Sequence, residues 1–138
     1  MKQPYLAFRL GEQDYATPLE PILEVRAYDA RRLPTRIFVN ALQEHIPVVN
    51  LRKRLSLGEF PQSGLPVAIV LEIAGALLAI AVDGVVETFS LEAGQVLPAI
   101  CTQADGLHVT GVAIQRDRRF LVVDFKRLAD EELPQWAR

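Results

Sequence analysis

The sequence predicts an all-β protein made of two similar small units of the barrel or sandwich type, with a few short helices. The segment from Leu6 to Val25 has a gapless second copy from Ile69 to Thr88, at a constant offset of 63 residues (69 − 6, 78 − 15, 85 − 22). Strand signals recur every eight to twelve residues between turn residues, a spacing typical of sandwiches and barrels. Half of the 138 residues are apolar, which is enough for a packed core.

The first half predicts two hairpins, a strand between them and a short helix. Pro18 and Pro21 lack a backbone donor and mark the break after the first hairpin. A polar loop rich in arginine follows at 29–35. In chain order the expected elements are strands at 5–10, 15–19, 22–28, 36–42 and 45–51 and a helix that begins at 52–55.

The second half repeats this order after a connector at 56–64 that is rich in glycine and serine. The stretch from Leu65 to Val82 carries Glu72 as its sole charge and is close to the length of a membrane span. Apolar alternation and a central Ala74-Gly75 turn signal favour a hairpin there instead. The remaining expected elements are a strand at 85–91, a loop through 98, a hairpin at 109–125, a helix that begins at 126–132 and a tail at 134–138.

Composition and charge exclude several classes of protein. A net charge of −2 argues against a nucleic-acid module that depends on a broad basic face. Cys101 is the only cysteine, so no disulfide can form within the chain. The segment Met1–Tyr5 lacks the apolar stretch of a signal peptide, and we expect a cytoplasmic protein.

The chain contains no recognisable catalytic, cofactor or metal motif. His45 and His108 do not have the spacing of metal ligands, and Cys101 has no neighbouring cation to stabilise a thiolate. Asp83 and Asp124 read as lone turn carboxylates, because acid–base catalysis requires a positioned second group. We therefore predict no enzymatic activity, no cofactor and no metal.

Two basic clusters and the only tryptophan have ordinary explanations. The clusters at 52–54 and 116–119 read as solvated turn charges, given the nearly neutral total. Trp136 lies in the expected tail, where a docking role is a minor alternative to disorder. We therefore expect this small β protein to act by binding partners through its surfaces.

Several segments, taken in order, resemble the CheW family of bacterial chemosensory adaptors, from about Tyr5 to about Leu133. No segment is decisive alone, and the order and spacing of all of them carry the resemblance. The matching segments are 5–10 (YLAFRL), 22–25 (ILEV), Asn40, 46–52 (IPVVNLR), 81–85 (AVDGV), 111–113 (GVA) and 121–124 (LVVD).

This resemblance implies two intertwined five-stranded SH3-like barrels in one CheW-like domain over 1–138. The first barrel would lie mainly in 15–65 and the second mainly in 66–125, with the N-terminal strand and the C-terminal segment crossing between them. It further implies a non-catalytic adaptor, recruited to membrane-associated receptor arrays, that couples chemoreceptor cytoplasmic tips to the regulatory domain of a CheA-type histidine kinase. In the family, that regulatory domain pairs barrel against barrel, and the helical receptor tip lies in an apolar groove.

One hairpin departs from the family pattern. The family segment Gly-hydrophobic-x-Asn-hydrophobic-Arg-Gly reads IFVNALQ at 37–43, so both glycines and the arginine are replaced, and the loop before it is a few residues short. The family arginine is implicated in partner contacts and can pair with the glutamate aligned with Glu24, so Leu42 removes that candidate partner. The second half carries Ile114 at the position we align with Leu42. The expected partner-binding residues are Glu24, Val25, Asn40, Leu42, Gln43, Pro47, Val48, Val86 and Thr88.

Other functions stay open at this point. The fold could serve a divergent regulator that binds one partner only, for example in a pilus-type chemosensory system, or it could self-associate through its barrel faces. A small-barrel module that binds nucleic acid would need exposed aromatic platforms beside basic strands. The aromatic residues Phe8, Tyr15, Phe38 and Phe120 lie mostly at positions expected in the core.

Overall fold

The computed structural model describes residues 2–98, 103–104, 107–126 and 128–129, and strands dominate them. The predicted all-β fold is confirmed. The strands are β1 (Lys2–Leu10), β2 (Gln13–Pro18), β3 (Ile22–Ala27), β4 (Arg36–Val39), β5 (Glu44–Asn50), β6 (Val67–Ile73), β7 (Ala76–Val82), β8 (Gly84–Glu92), β9 (Val96–Pro98), β10 (Gln103–Ala104), β11 (Leu107–Gln115) and β12 (Arg118–Asp124). The helix α1 is Leu51–Arg54, and single 3-10 turns occur at Asn40–Leu42 and Ala93–Gln95.

The strands form two mixed sheets. The first sheet has the order β3-β6-β7-β5-β4, and the second has the order β10-β11-β12-β2-β1-β8, with β9 also paired to β11. Each sheet contains one parallel pair, β5 with β7 and β12 with β2. The boundary expected at residue 65 does not coincide with the division between the sheets. The hairpin β6–β7 pairs with β3 and β5 in the first sheet, whereas β1 and β2 join the second.

The internal repeat appears as an exchange of third strands between the sheets. The hairpins β1–β2 and β6–β7 are the two copies, but β3 pairs with β6 and β8 pairs with β1. Ile22 lies opposite Leu71 and Val85 lies opposite Phe8, which are the same two repeat positions with their roles reversed. Both ladders also shift register at this point. Each copy therefore ends in the sheet of the other, which makes the two units intertwined.

Buried side chains form three cores because neighbours along a strand point to opposite faces of its sheet. The first-barrel core contains Tyr28, Val39, Ile46, Phe60, Ala68, Val70, Ala79 and Ala81. The second-barrel core contains Tyr5, Ala7, Ala16, Phe89, Leu91, Ala113, Phe120 and Val122. The central core between the sheets includes Leu6, Phe8, Leu10, Tyr15, Val49, Ile69, Leu71, Leu78, Ile80, Val82 and Val123. Burial on both faces explains the nearly continuous apolar runs.

The apolar stretch before Asp83 is the predicted hairpin. It turns at Ala74 and Gly75, whose φ angles are 52° and 82°, as expected for the tight turn of a two-residue hairpin. In the described part of the chain, no helix has the length and hydropathy that crossing a membrane requires.

Two predicted elements differ in detail. The strand expected over 36–42 ends at Val39, and a 3-10 turn follows it. Part of the loop expected before residue 98 is the short strand β9, which pairs with β11. Lys126, Leu128 and Ala129 are helical as expected, whereas Cys101 and the tail with Trp136 lie outside the described residues.

Candidate functional site

Two exposed strips lie at equivalent positions of the repeat. We define the first rim strip as Leu23 and Val25 on β3, whose side chains are 50% and 41% exposed. The second rim strip is Val86 and Thr88 on β8, where Val86 packs partly on the second-barrel core and Thr88 is exposed. Each strip is offset by 63 residues from the other (86 − 23, 88 − 25).

One residue of each strip, Val25 in the first and Thr88 in the second, borders the central core. Val25 lies opposite Ile69 of β6, and Thr88 lies opposite Leu6 of β1, both of which are buried in that core. Cross-strand neighbours share a face of the sheet. The strips therefore extend the buried apolar face of each sheet to its solvent-exposed rim.

Glu24 has a partner that the sequence reasoning missed. Its carboxylate lies 3.5 Å from Nε of Arg26 on the same strand, and both side chains are about one third exposed. Nη1 of Arg26 also donates a hydrogen bond to the carbonyl of Phe38, at 2.7 Å. This bond joins β3 to β4, the two edge strands of the first sheet. The gap between these edges is therefore bridged by the Arg26 side chain instead of by a ladder of backbone hydrogen bonds.

The second barrel holds an ion pair between a glutamate and a hairpin tip. Glu87, the repeat equivalent of Glu24, lies 3.3 Å from Nη1 of Arg116 at the β11–β12 turn. In the first barrel the corresponding turn carries Leu42. The family pattern predicts an ion pair between a glutamate and a turn arginine in the first barrel, where Leu42 now stands in place of the arginine. An equivalent pair, Glu87 with Arg116, occurs in the second barrel.

Leu42 is half-buried and packs against the first-barrel core, so it is not a free apolar surface. Gln43 follows it in the left-handed region, with a φ of 51°, where the family glycine would be unstrained. Its Nε2 donates a hydrogen bond to the carbonyl of Asn40 at 2.7 Å, which ties the turn together. The predicted equivalence of Leu42 with Ile114 is wrong, because the strand pairing aligns Ile114 with Phe38.

Strand pairing gives the correct equivalence. Arg36 lies opposite Pro47, and Val112 lies opposite Leu121, its counterpart in the second half. Two residues further along, Phe38 corresponds to Ile114, and these side chains are 40% and 58% exposed. Phe38 on β4 and Ile114 on β11 are thus equivalent positions, and both expose an apolar side chain.

The predicted partner-binding residues do not meet in one cleft. Pro47 and Val48 are half-buried in β5, and the Val48 amide donates to the carbonyl of Thr35 at 2.8 Å. Together with the turn at 40–43 they form a hairpin surface on the first barrel. The nine residues therefore fall into three sets, namely Glu24 with the first rim strip, the second rim strip, and this hairpin surface.

A groove in the first barrel lies elsewhere and shares only Val25 with the predicted set. It has a volume of about 1530 Å³ and runs between the end of β3, the loop after it and the connector before β6. We term it the first-barrel groove. Its lining includes Val25, Tyr28, Leu33, Lys53, Phe60 and Leu65.

A buried ion pair holds the connector beside this groove, which corrects the reading of Arg52 and Asp83 as turn charges. Arg52 donates from Nε and from its second terminal nitrogen to the two carboxylate oxygens of Asp83, at 2.7 and 2.9 Å. Its Nη1 donates to the carbonyls of Leu57 and Glu59. The Asp83 hydrogen bonds, which outweigh burial, raise the pKa of Arg52 above its usual range. The pair therefore anchors the connector that lines the groove.

The second basic cluster is also paired in part. Asp14 accepts hydrogen bonds from Arg9, at 3.0 Å, and from Arg118. Burial alone would raise the pKa of Asp14, but these two arginines outweigh burial and hold the pKa below its ordinary value of 3.8. Asp14, near the start of β2, thereby links β2 to β12.

The described residues offer little chemistry. His45 is exposed and packs edge-on against Phe38, with ring centroids 4.8 Å apart. Among the described residues, histidine, cysteine and acidic side chains form no cluster that could hold a metal ion. Phe8, Tyr15 and Phe120 are buried as expected, whereas Phe38 is exposed.

Two SH3-like barrel units, the first of which exposes the apolar residues Leu23 and Val25 at its rim, have the architecture of a protein-binding scaffold. The CheW-like domain family matches residues 4–133 of the chain. The chain is 28% identical over 138 aligned positions to the chemotaxis protein CheW of Klebsiella aerogenes, covering 94% of this chain and 83% of that protein. Its fold resembles that of the scaffolding protein TtCheW from Thermoanaerobacter tengcongensis, with a TM-score of 0.72, 24% identity and 90% of each chain covered.

The chain therefore belongs to the CheW-like domain family. Family and fold together identify a scaffold or adaptor of the chemotaxis type, as the sequence predicted. The family is one of non-catalytic adaptors.

Proposed function

We propose that this chain, as a single CheW-like domain, couples the cytoplasmic tips of chemoreceptors to the regulatory domain of a CheA-type histidine kinase. It would do so in the cytoplasm, at membrane-associated receptor arrays. The observation that carries the proposal is the exposure of Leu23 and Val25 within the family-matching segment ILEV. Two large apolar side chains on one strand at a sheet rim are well suited to a partner helix.

The receptor tip is proposed to contact Glu24 and the two rim strips. A helical hairpin presents apolar residues at intervals of three and four residues, and these can cover Leu23 and Val25 on β3. Glu24 and Thr88 add polar side chains beside the apolar ones. Polar and charged side chains at an interface contribute more to the orientation of the partner than to the affinity. Val86 supplies a smaller apolar contact on the equivalent strand.

The kinase regulatory domain is proposed to pair with the hairpin surface formed by Asn40, Leu42, Gln43, Pro47 and Val48. This surface lies on the first barrel, apart from the second rim strip on β8. An adaptor that holds two partners at once needs two such separate surfaces. Asn40 and Gln43 are exposed at the turn, while the other three residues pack partly on the barrel and support it.

Calorimetric titration with a receptor-tip fragment and a kinase regulatory-domain fragment tests the two contacts separately. We expect Val25→Asp to weaken receptor binding about tenfold or more, because it places a charge in an apolar contact. Kinase binding should be unchanged. Leu97→Asp is the matched control for the receptor arm, since Leu97 is 58% exposed on β9, outside both rim strips. If Val25→Asp binds the receptor fragment like the parent chain, the receptor assignment is incorrect.

A second candidate is a regulator that binds only one of these partners. The observation that favours it is the changed first-barrel hairpin, where Leu42 is half-buried and Glu24 is paired with Arg26. Leu42→Arg would return the family residue to the turn. If the parent chain binds receptor but not kinase, and Leu42→Arg restores kinase binding, the regulator is supported. Tight binding of both fragments by the parent chain, unchanged in Leu42→Arg, would exclude it.

A further inference from the structure

The outer edge of β4 lacks the strand that covers its counterpart in the second barrel. There, β9 pairs with β11, and Leu97 lies opposite Val112. Val112 corresponds to Arg36, but β4 is the last strand of its sheet, and no other described strand lies on its open side. The loops account for the difference, because residues 28–35 join β3 directly to β4, whereas residues 93–106 between β8 and β11 contain β9 and β10.

The open edge presents backbone groups that can pair with another strand. The Val48 amide donates to the Thr35 carbonyl at 2.8 Å, which makes these two residues a hydrogen-bonded pair of the ladder between β4 and β5. Such pairs recur at every second residue of an antiparallel ladder, so Arg36 and Phe38 turn their amides and carbonyls away from β5. The Phe38 carbonyl accepts Nη1 of Arg26 on this side, which agrees with that alternation. Strand edges of this kind are templates for pairing with another chain.

The side chain at the centre of this edge favours an acidic occupant. Arg36 is exposed where the second barrel carries Val112, and its Nη2 donates to the carbonyl of His45 at 3.1 Å. No carboxylate of a described residue lies within ion-pair distance of Arg36. A strand docked like β9 places one side chain opposite Arg36, at the position that Leu97 holds in β9. Aspartate or glutamate at that position would supply the missing counter-charge.

The seam between β3 and β4 is cationic beyond Arg36. Arg26 reaches across it from β3, and Arg31 lies in the loop that leads into β4. The acidic residue of that loop, Asp29, is engaged, because it accepts the amides of Arg31 and Arg32 at 3.0 and 3.2 Å. Positive charge therefore predominates where a docked strand would lie.

We propose that the open edge of β4 binds an extended acidic segment of another protein, as an antiparallel strand in the place that β9 holds in the second barrel. The segment pairs with the amide and carbonyl of Arg36, and its central carboxylate pairs with the guanidinium. The positions that β9 covers correspond to 35–37 (112 − 36 = 76), so the docked strand ends before the Phe38 carbonyl that Arg26 occupies. This inference does not rest on the receptor or kinase assignment.

Nuclear magnetic resonance titration of the full chain with two blocked peptides tests the proposal. The probe peptide copies residues 91–100 of this chain with Leu97→Glu, and the comparison peptide keeps Leu97. We expect saturable shifts of the Arg36 and Phe38 amides, and about twofold to fivefold tighter binding of the acidic peptide. The Val112 amide, which β9 already covers, should not shift.

Two substitutions of Arg36 separate its backbone from its side chain. Arg36→Gln keeps the amide and should abolish the difference between the two peptides. Arg36→Pro also removes an amide that faces away from β5, a position where an edge strand tolerates proline. It should weaken the comparison peptide about fivefold more than Arg36→Gln does. Arg119→Gln, at an exposed arginine of β12, is the control and should change neither affinity.

Four results would overturn the proposal. Equal protection of the Arg36 and Val112 amides from hydrogen exchange in the free chain would mean that the β4 edge is already covered. Protection of Arg36 that rises with protein concentration would make a second copy of the chain the occupant. Shifts that spare Arg36, or affinities that Arg36→Pro leaves unchanged, would place the peptide elsewhere. Equal binding of the two peptides would remove the acidic preference. Circular dichroism verifies the fold of each variant.

Discussion

Replacing Asp83 with asparagine should destabilise the fold strongly, because it leaves the charge of Arg52 buried without a counter-charge. The two side chains are only 10% and 12% exposed and share two hydrogen bonds. Asp83 also accepts the amide of Gly11 at 2.8 Å, so three elements meet at this carboxylate. Removing one partner of a buried pair costs about 3–5 kcal/mol, and residual water access here favours the lower figure. We expect a loss of about 3 kcal/mol.

Urea unfolding followed by circular dichroism measures this loss. In a chain of this size, about 3 kcal/mol corresponds to a fall in Tm of roughly 10 °C. The control is Arg32→Gln, since Arg32 is 87% exposed beside Asp29 and such pairs contribute at most about 1 kcal/mol. A double variant, Arg52→Met with Asp83→Leu, should regain part of the loss, because no charge stays buried. A loss below about 1 kcal/mol in Asp83→Asn would refute the reasoning.

Three further outcomes follow from local geometry. Gly111→Ala should cost about 1–3 kcal/mol in urea unfolding, because a Cβ there would lie 2.6 Å from the carbonyl oxygen of Leu97. Gln43→Gly should raise the free energy of unfolding by up to about 1 kcal/mol, because it relieves a φ of 51°. The folded-state pKa of Asp14 is lowered, so its stabilisation is complete above the ordinary value of 3.8 and is lost as the pH falls below it. Asp14→Asn should therefore flatten the acid limb of the stability curve.

Each of these outcomes has a result that contradicts it. Unchanged unfolding in Gly111→Ala would mean that β9 can move away from β11 at no cost. A destabilised Gln43→Gly would show that the hydrogen bond to Asn40 outweighs the backbone strain. Parallel acid limbs for Asp14→Asn and the parent chain would show that Arg9 and Arg118 do not stabilise the carboxylate. Gly94→Ala is the control for the first substitution, since no atom lies within 4 Å of the added Cβ.

Local patterns were sufficient to predict most strands and the hairpins. Alternation and turn residues act over a few positions, so the hairpin from Val67 to Val82 and its turn at Ala74 could be read directly. The repeat also predicted that Val25 and Thr88 would be equivalent, and strand pairing confirms it. The 3-10 turn after Val39 was missed because a short apolar run reads alike in either conformation.

The sequence by itself determined the all-β class, the duplication and the family, because these depend on residue order and short-range periodicity. Only the tertiary structure decided which distant segments meet. The exchange of β3 and β8 between sheets, the pairing of Glu24 with Arg26 and the burial of Arg52 against Asp83 all depend on packing. A charged side chain in a turn looks the same in sequence whether it faces water or a carboxylate 31 residues away. Burial, which sets the strength of that interaction, is created only when the two sheets close over it.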